Sequence, residues 1–181
     1  LTVDAAHLAA WQVVVRAQAD DGSATASVQA LRALLDQVNT RTQTIGQAAK
    51  AGTAQSSLGL PDFAHAGITG VDDTNLAVLS QMLDTPQVVA GWGGGLPTPA
   101  QIQAVVDALN ALRALSDGVD NNGASLTDAQ LRVLGLDTQV NTVSTQTFFN
   151  DVLDNALTGD VATASGVHRL ADIAARLVQW G

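Results

Sequence analysis

The sequence predicts an all-α fold made of three tandem helical units, packed as a helical bundle or a short solenoid. Three observations predict it. Apolar residues recur at helical spacing, and alternation of period two over strand length is nearly absent. No Asn-Gly or Asp-Gly pair separates two β-branched runs; Asp21-Gly22 and Asn122-Gly123 join helical patterns instead. The chain also repeats itself about every 68 residues. Val71-Asp72 aligns with Val3-Asp4, Leu76 with Leu8, Leu79 with Trp11, and Met82-Leu83 with Val14-Val15. Forward, Phe63 aligns with Leu131 and Gly67-Ile68 with Gly135-Leu136. A fixed period of this size implies stacked units, none able to bury its apolar face alone.

The units are read as residues 1–56, 57–123 and 124–181. Each has a short, a medium and a long helix. The short helix is expected at Pro61 to Ala66 and at Asp128 to Leu134. Pro61 and Thr127 sit where a first-turn proline and an N-cap belong, and Gly67 and Gly135 supply the left-handed residue that closes a helix. The medium helix has N-cap candidates at Asp4, Asp72, and Asn141 or Ser144. Its apolar face reads Leu8, Trp11, Val14, Val15, then Leu76, Leu79, Met82, Leu83, then Phe149, Val152, Leu153. Gln146 departs from the pattern where Leu76 stands. The long helix reads Val28, Leu31, Leu35, Val38 in the first unit and Ile102, Val105, Leu109, Leu112 in the second. In the third it reads Val167, Leu170, Ile173/Ala174, Leu177. The first long helix is expected to run to about Ala49; the second starts at Thr98-Pro99 and stops near Asp117-Gly118. Between medium and long helices the second unit alone carries an insertion, Gln87 to Leu96, with Gly91-Trp92-Gly93-Gly94-Gly95 inside it. Residue 1 falls within a unit, so the chain is expected to be an excerpt of something longer.

Composition narrows the partners. Of 181 residues 46% are apolar but only 3% aromatic, with no Tyr, which favours helices packed through small side chains. Net charge is −9 and Lys50 is the sole lysine, so the basic footprint of a nucleic-acid or anionic-lipid binder is missing. No cysteine is present, which excludes disulfides and thiolate chemistry. No apolar run reaches the ~18 residues of a membrane span, and no charged leader segment opens the sequence.

Two places could carry chemistry. Asp117, Asp120, Asn122 and Asp128 offer oxygen ligands on a turn, and calcium is the cation such a set would take. The EF-hand register fails, because Gly123 as the turn glycine puts Gly118 first and Ala129 twelfth. The other reading is an Asx-rich inter-helix turn. Trp92, with Gly93 and Gly94 behind it, could anchor a protein or glycan ligand from an exposed loop. Alternatively Trp92 folds back to fill a gap between helices. His7, His65 and His168 lack metal-helix spacing, nothing resembles a Gly-x-Ser-x-Gly elbow, and the glycine loop lacks the lysine and hydroxyl of a phosphate loop. No cofactor and no enzymatic activity are expected.

The stretch Ala64-His-Ala-Gly67-Ile68-Thr-Gly-Val71-Asp72-Asp-Thr-Asn75-Leu76-Ala-Val-Leu79, followed by Ile102-Gln-Ala-Val-Val-Asp107-Ala108 and the Asp117 to Gly123 link, resembles a helical tandem repeat of large bacterial secreted surface proteins, the RTX-type and giant adhesins. The resemblance is good over 58 to 123, partial over 124 to 181 and weaker over 1 to 57. It implies a non-enzymatic structural or adhesive segment at the cell surface or outside the cell. Its partners would be the neighbouring repeats and a protein or glycan ligand.

Overall fold

The computed structural model describes residues 5–119 and 124–180, and over them the fold is all-α. Ten α-helices run in order: α1 (Leu8–Arg16), α2 (Val28–Lys50), α3 (Ala54–Ser57), α4 (Leu60–His65), α5 (Leu76–Leu83), α6 (Pro86–Ala90), α7 (Pro99–Leu115), α8 (Asp128–Val133), α9 (Val143–Asp154) and α10 (Ala164–Trp180). Short 3-10 turns at Ser23–Thr25 and Thr158–Val161 precede α2 and α10.

Side chains set the helix starts. Thr98 Oγ1 accepts from Gln101 N, and Gln101 Oε1 accepts from Thr98 N, so two orphan donors are met reciprocally at α7. Thr127 and Gln130 do the same at α8. The starts of α5 and α9 differ from those the sequence suggests. Asp72 does not cap α5: its Oδ1 accepts from Thr74 N at 2.8 Å and Asn75 N at 3.2 Å, closing an Asx turn that delays the helix to Leu76. The cap of α9 is Thr142, not Asn141 or Ser144, because its hydroxyl accepts from Thr145 N. Asp4 lies outside the described residues.

Two helices end in the same way. Ile68 N donates to Phe63 O at 2.9 Å and Gly67 N to Ala64 O at 3.0 Å. Leu136 N donates to Leu131 O at 2.9 Å and Gly135 N to Arg132 O at 3.0 Å. Both are Schellman closures, with Gly67 at φ 72° and Gly135 at φ 70°. Each glycine also permits close approach. A Cβ on Gly67 would overlap the Ala10 carbonyl of α1, and one on Gly135 would stand 2.5 Å from Gln87 Cβ of α6. Gly67→Ala therefore combines left-handed strain with a backbone clash, and should cost about 3 kcal/mol. Urea unfolding checks this; a loss below about 1 kcal/mol, the cost of left-handed strain alone, would mean that α1 does not rest on this turn.

The core has two parts. The larger runs without a break from Ile45 and Ala49 of α2 through α5, α7 and α8 to Ala174 of α10. The smaller joins Ala10, Trp11 and Val14 of α1 to Leu35 and Val38 of α2, so α2 spans both. The buried surface of α7 is wider than one stripe. Beside Ile102, Val105, Leu109 and Leu112 it buries Val106, Ala108 and Leu115, because α1, α5, α8 and α9 all pack on it. The expected stripes of α1, α2 and α10 are only partly covered: Leu8, Val28, Ile173 and Leu177 are exposed.

Candidate functional site

The insertion Gln87 to Leu96, which includes most of α6, holds the strongest binding candidate of the sequence, and its geometry is the folded-back alternative for Trp92. Trp92 is 8% exposed and belongs to the main core. It lies beside Val88 of α6, Ala104 and Val105 of α7 and Val133 of α8, around an apolar cavity of about 270 Å³. Local turns and long-range contacts together hold it there. Gly93 and Gly94 take φ 70° and 84°, which turns the chain back and leaves the indole beneath the loop. The loop itself is fastened to α2. Lys50 Nζ donates to Gly94 O at 2.7 Å. Gly46, a buried glycine of α2, leaves room for the chain that follows: a Cβ there would overlap the Pro97 ring and stand 3.2 Å from Leu96 Cδ2. The insertion carries the chain from α6 across α2 to the start of α7, and its tryptophan is spent on packing.

The motif that carries the resemblance has an equally structural account. Gly70 takes φ 77°, and its carbonyl accepts from Asn75 Nδ2 at 2.7 Å and from Asn110 Nδ2 at 2.9 Å. Asn75 Nδ2 also donates to Asn110 Oδ1 at 2.8 Å, and Asn75 Oδ1 accepts from Asp72 N at 2.9 Å. Hydrogen bonds from the Thr74 hydroxyl and backbone hold the Asp72 carboxyl below its ordinary range. Asn75 is thus a buried polar clasp between the turn and α7. Asn75→Ala leaves Asp72 N and Asn110 Oδ1 unmet and should cost about 1–3 kcal/mol. A melt indistinguishable from wild type would show the clasp to be idle. Asn110 was not singled out in the sequence, and it lies outside the apolar stripe. A single Asn on the polar side of an amphipathic helix gives no local signal of its partner.

Only part of the candidate cation set falls among the described residues. Asp120 and Asn122 lie outside them. Asp128 Oδ1 accepts from Gln146 Nε2 at 2.7 Å, and Asp117 Oδ1 accepts from Val119 N at 2.8 Å. Among the described residues no group of three or more His, Asp or Glu side chains is placed to hold a metal ion. The nearby open cavity, about 740 Å³, is lined instead by Ser125, Asn150, Asp151, Asp154 and Asn155.

Two of the histidines have partners of their own. His7 stacks on Trp11 with ring centroids 5.8 Å apart. His168 Nδ1 lies 3.2 Å from Gln139 Oε1, and Gln139 Nε2 donates to Asp172 Oδ1 at 2.9 Å. With its amide so oriented, Gln139 accepts from the ring. Burial lowers the His168 pKa, and the Asp172 carboxylate works against that shift.

One feature escaped the sequence. Trp11 Nε1 and Asn39 Oδ1 are buried with no hydrogen-bond partner among the described residues. Both residues line a cavity of about 370 Å³ between α1, α2 and Leu96-Pro97. An unmet buried donor or acceptor costs about 1–3 kcal/mol. Trp11 on an apolar stripe reads as core, and it is core; only packing decides whether its N–H finds an acceptor. Compared with family models, curated proteins and solved structures, the chain matches none.

Proposed function

We propose that residues 1–56, 57–123 and 124–181 are three units of one helical solenoid, a spacer or presentation segment of a large bacterial extracellular or cell-surface protein. One observation carries the solenoid reading: the same pairings recur one unit apart. The short helix of a unit packs on the preceding long helix, α4 on α2 and α8 on α7. The long helix packs on the preceding medium helix, α7 on α1 and α10 on α5. Within each unit the medium and long helices pair, α1 with α2, α5 with α7 and α9 with α10. Such nearest-neighbour contacts make stability a property of the array and give a rigid rod with little chemistry of its own. The structural use of Gly67, Gly70, Asp72 and Asn75 also supports it. The residues of the motif hold a turn, as a scaffold requires. Surface placement comes from the resemblance alone, with the acidic surface in keeping.

The experiment is a blot of fractionated source cells with an antibody raised to this segment. A band of several hundred kDa at the surface or in the medium is the expected result. A cytoplasmic band near 18.5 kDa would overturn the reading.

A further inference from the structure

The apolar cavity beside Trp92 has one side open to water. Gly91, Ala100 and Arg132 line it and are exposed, while Val88, Trp92 and Val105 line it and are buried. An apolar cavity of ~150 Å³ already holds benzene. The volume here is about 270 Å³, so one ring with a short tail fits. The walls come from three helices, and the glycine loop beside them is fastened to α2 through Lys50 Nζ and Gly94 O. A pre-formed apolar pocket with a few polar groups at its edge is the usual form of a small-ligand site.

The polar side chains of the pocket, Gln101 of α7 and Arg132 of α8, indicate the chemistry of the ligand. Gln101 Oε1 accepts from Thr98 N at 2.9 Å, which leaves its Nε2 as a donor with no acceptor among the described residues. The Arg132 guanidinium brings five more donors, and it too has no ion pair or side-chain hydrogen bond among the described residues. Asp128, one turn earlier on α8, is bonded to Gln146 Nε2 instead. Although the chain has 17 acidic side chains, none lines this pocket. The larger open cavity is lined by Asp151 and Asp154. Donors and one positive charge beside an apolar floor select a negatively charged acceptor on an apolar body, and a guanidinium matches a carboxylate with two parallel hydrogen bonds. We propose that the pocket beside Trp92 binds a small apolar acid, with its ring or short chain on the apolar floor and its carboxylate at Arg132 and Gln101 Nε2. A cation would be repelled there, and an uncharged apolar guest would leave both donors unused. The site rests on this one pocket and owes nothing to the solenoid reading.

The test titrates phenylacetate into the isotope-labelled protein at low salt, where charge pairing is least screened. NMR follows the backbone amides and the indole N–H groups. The expected result is a saturable shift centred on Trp92, Ala104 and Val133, with a Kd at or below about 1 mM, in keeping with a ligand of this size. Arg132→Gln should raise that Kd at least about threefold, the scale of an ion pair open to water. Arg132 is exposed, so the variant should keep the wild-type circular dichroism spectrum and melt. Phenethyl alcohol has the same ring without the charge. It should bind the wild type at least about threefold more weakly than the acid, and should bind wild type and variant alike. A Kd above about 1 mM, or shifts centred elsewhere, such as at Trp11, would overturn the proposal. So would equal affinity for the acid and the alcohol, or a Kd that Arg132→Gln leaves unchanged, because the pocket would then select for an apolar body alone.

Discussion

Trp92→Ala should destabilise the protein by about 3–5 kcal/mol, the usual cost of removing a buried aromatic side chain. The side chain fills space between α6, α7 and α8, where its neighbours Val88 and Val105 are themselves buried. The apolar cavity of about 270 Å³ already beside it places the loss toward the lower end, because the surrounding side chains are less tightly packed there. Urea unfolding followed by circular dichroism measures it. An exposed binding anchor would behave differently, shifting stability by no more than about 0.5 kcal/mol while abolishing an interaction. That outcome would return the glycine loop to the role of a binding surface. The large expected loss also carries a practical point. A binding defect in Trp92→Ala would not by itself identify a contact residue, since about 3 kcal/mol is a large share of the 5–15 kcal/mol that holds a typical domain.

The second large effect is expected from Leu109→Ala, at about 2–5 kcal/mol. Leu109 is 1% exposed on α7, the helix against which α1, α5, α8 and α9 all pack. Because several elements meet there, the site cannot collapse by moving one helix, and the upper half of the range applies. Leu177→Ala is the matched control. It belongs to the corresponding stripe of α10, yet its side chain is largely in water, and the change should stay within about 0.5 kcal/mol. If Leu109→Ala leaves the unfolding curve where it was, α7 is not the centre of the core. If Leu177→Ala costs as much as Leu109→Ala, the α9–α10 face is covered in solution.

Much of the local structure was legible because its causes are local. Thr98-Pro99 starts α7, Thr127 starts α8, and Gly67 and Gly135 close α4 and α8, each through hydrogen bonds among residues a few positions apart. Apolar spacing correctly placed α2 to its last turn at Lys50. The misplaced starts of α5 and α9 have a local cause too: Asp72 and Thr142 each satisfy backbone donors, and residue type alone does not say whether the donors belong to a turn or to a helix.

The candidate sites were less legible, because a site depends on what surrounds a side chain. Glycines beside Trp92 permit an exposed loop and a folded-back one alike; the fastening of Gly94 to Lys50 and the seat for Pro97 at Gly46 select between them, and both partners lie far back in the chain on α2. Asn75 reads as one polar residue in a motif until Asn110, 35 positions on, meets it across the turn.

The sequence by itself determined the helical class, the helix closures and the apolar face of each amphipathic helix, since propensity, caps and periodicity act within one or two turns of chain. Only the tertiary structure decided which of those faces are covered. Leu109 and Leu177 share one apolar pattern, yet one lies at the meeting point of several helices and the other faces water. Burial is set by neighbours brought from distant parts of the chain, and periodicity carries no information about them.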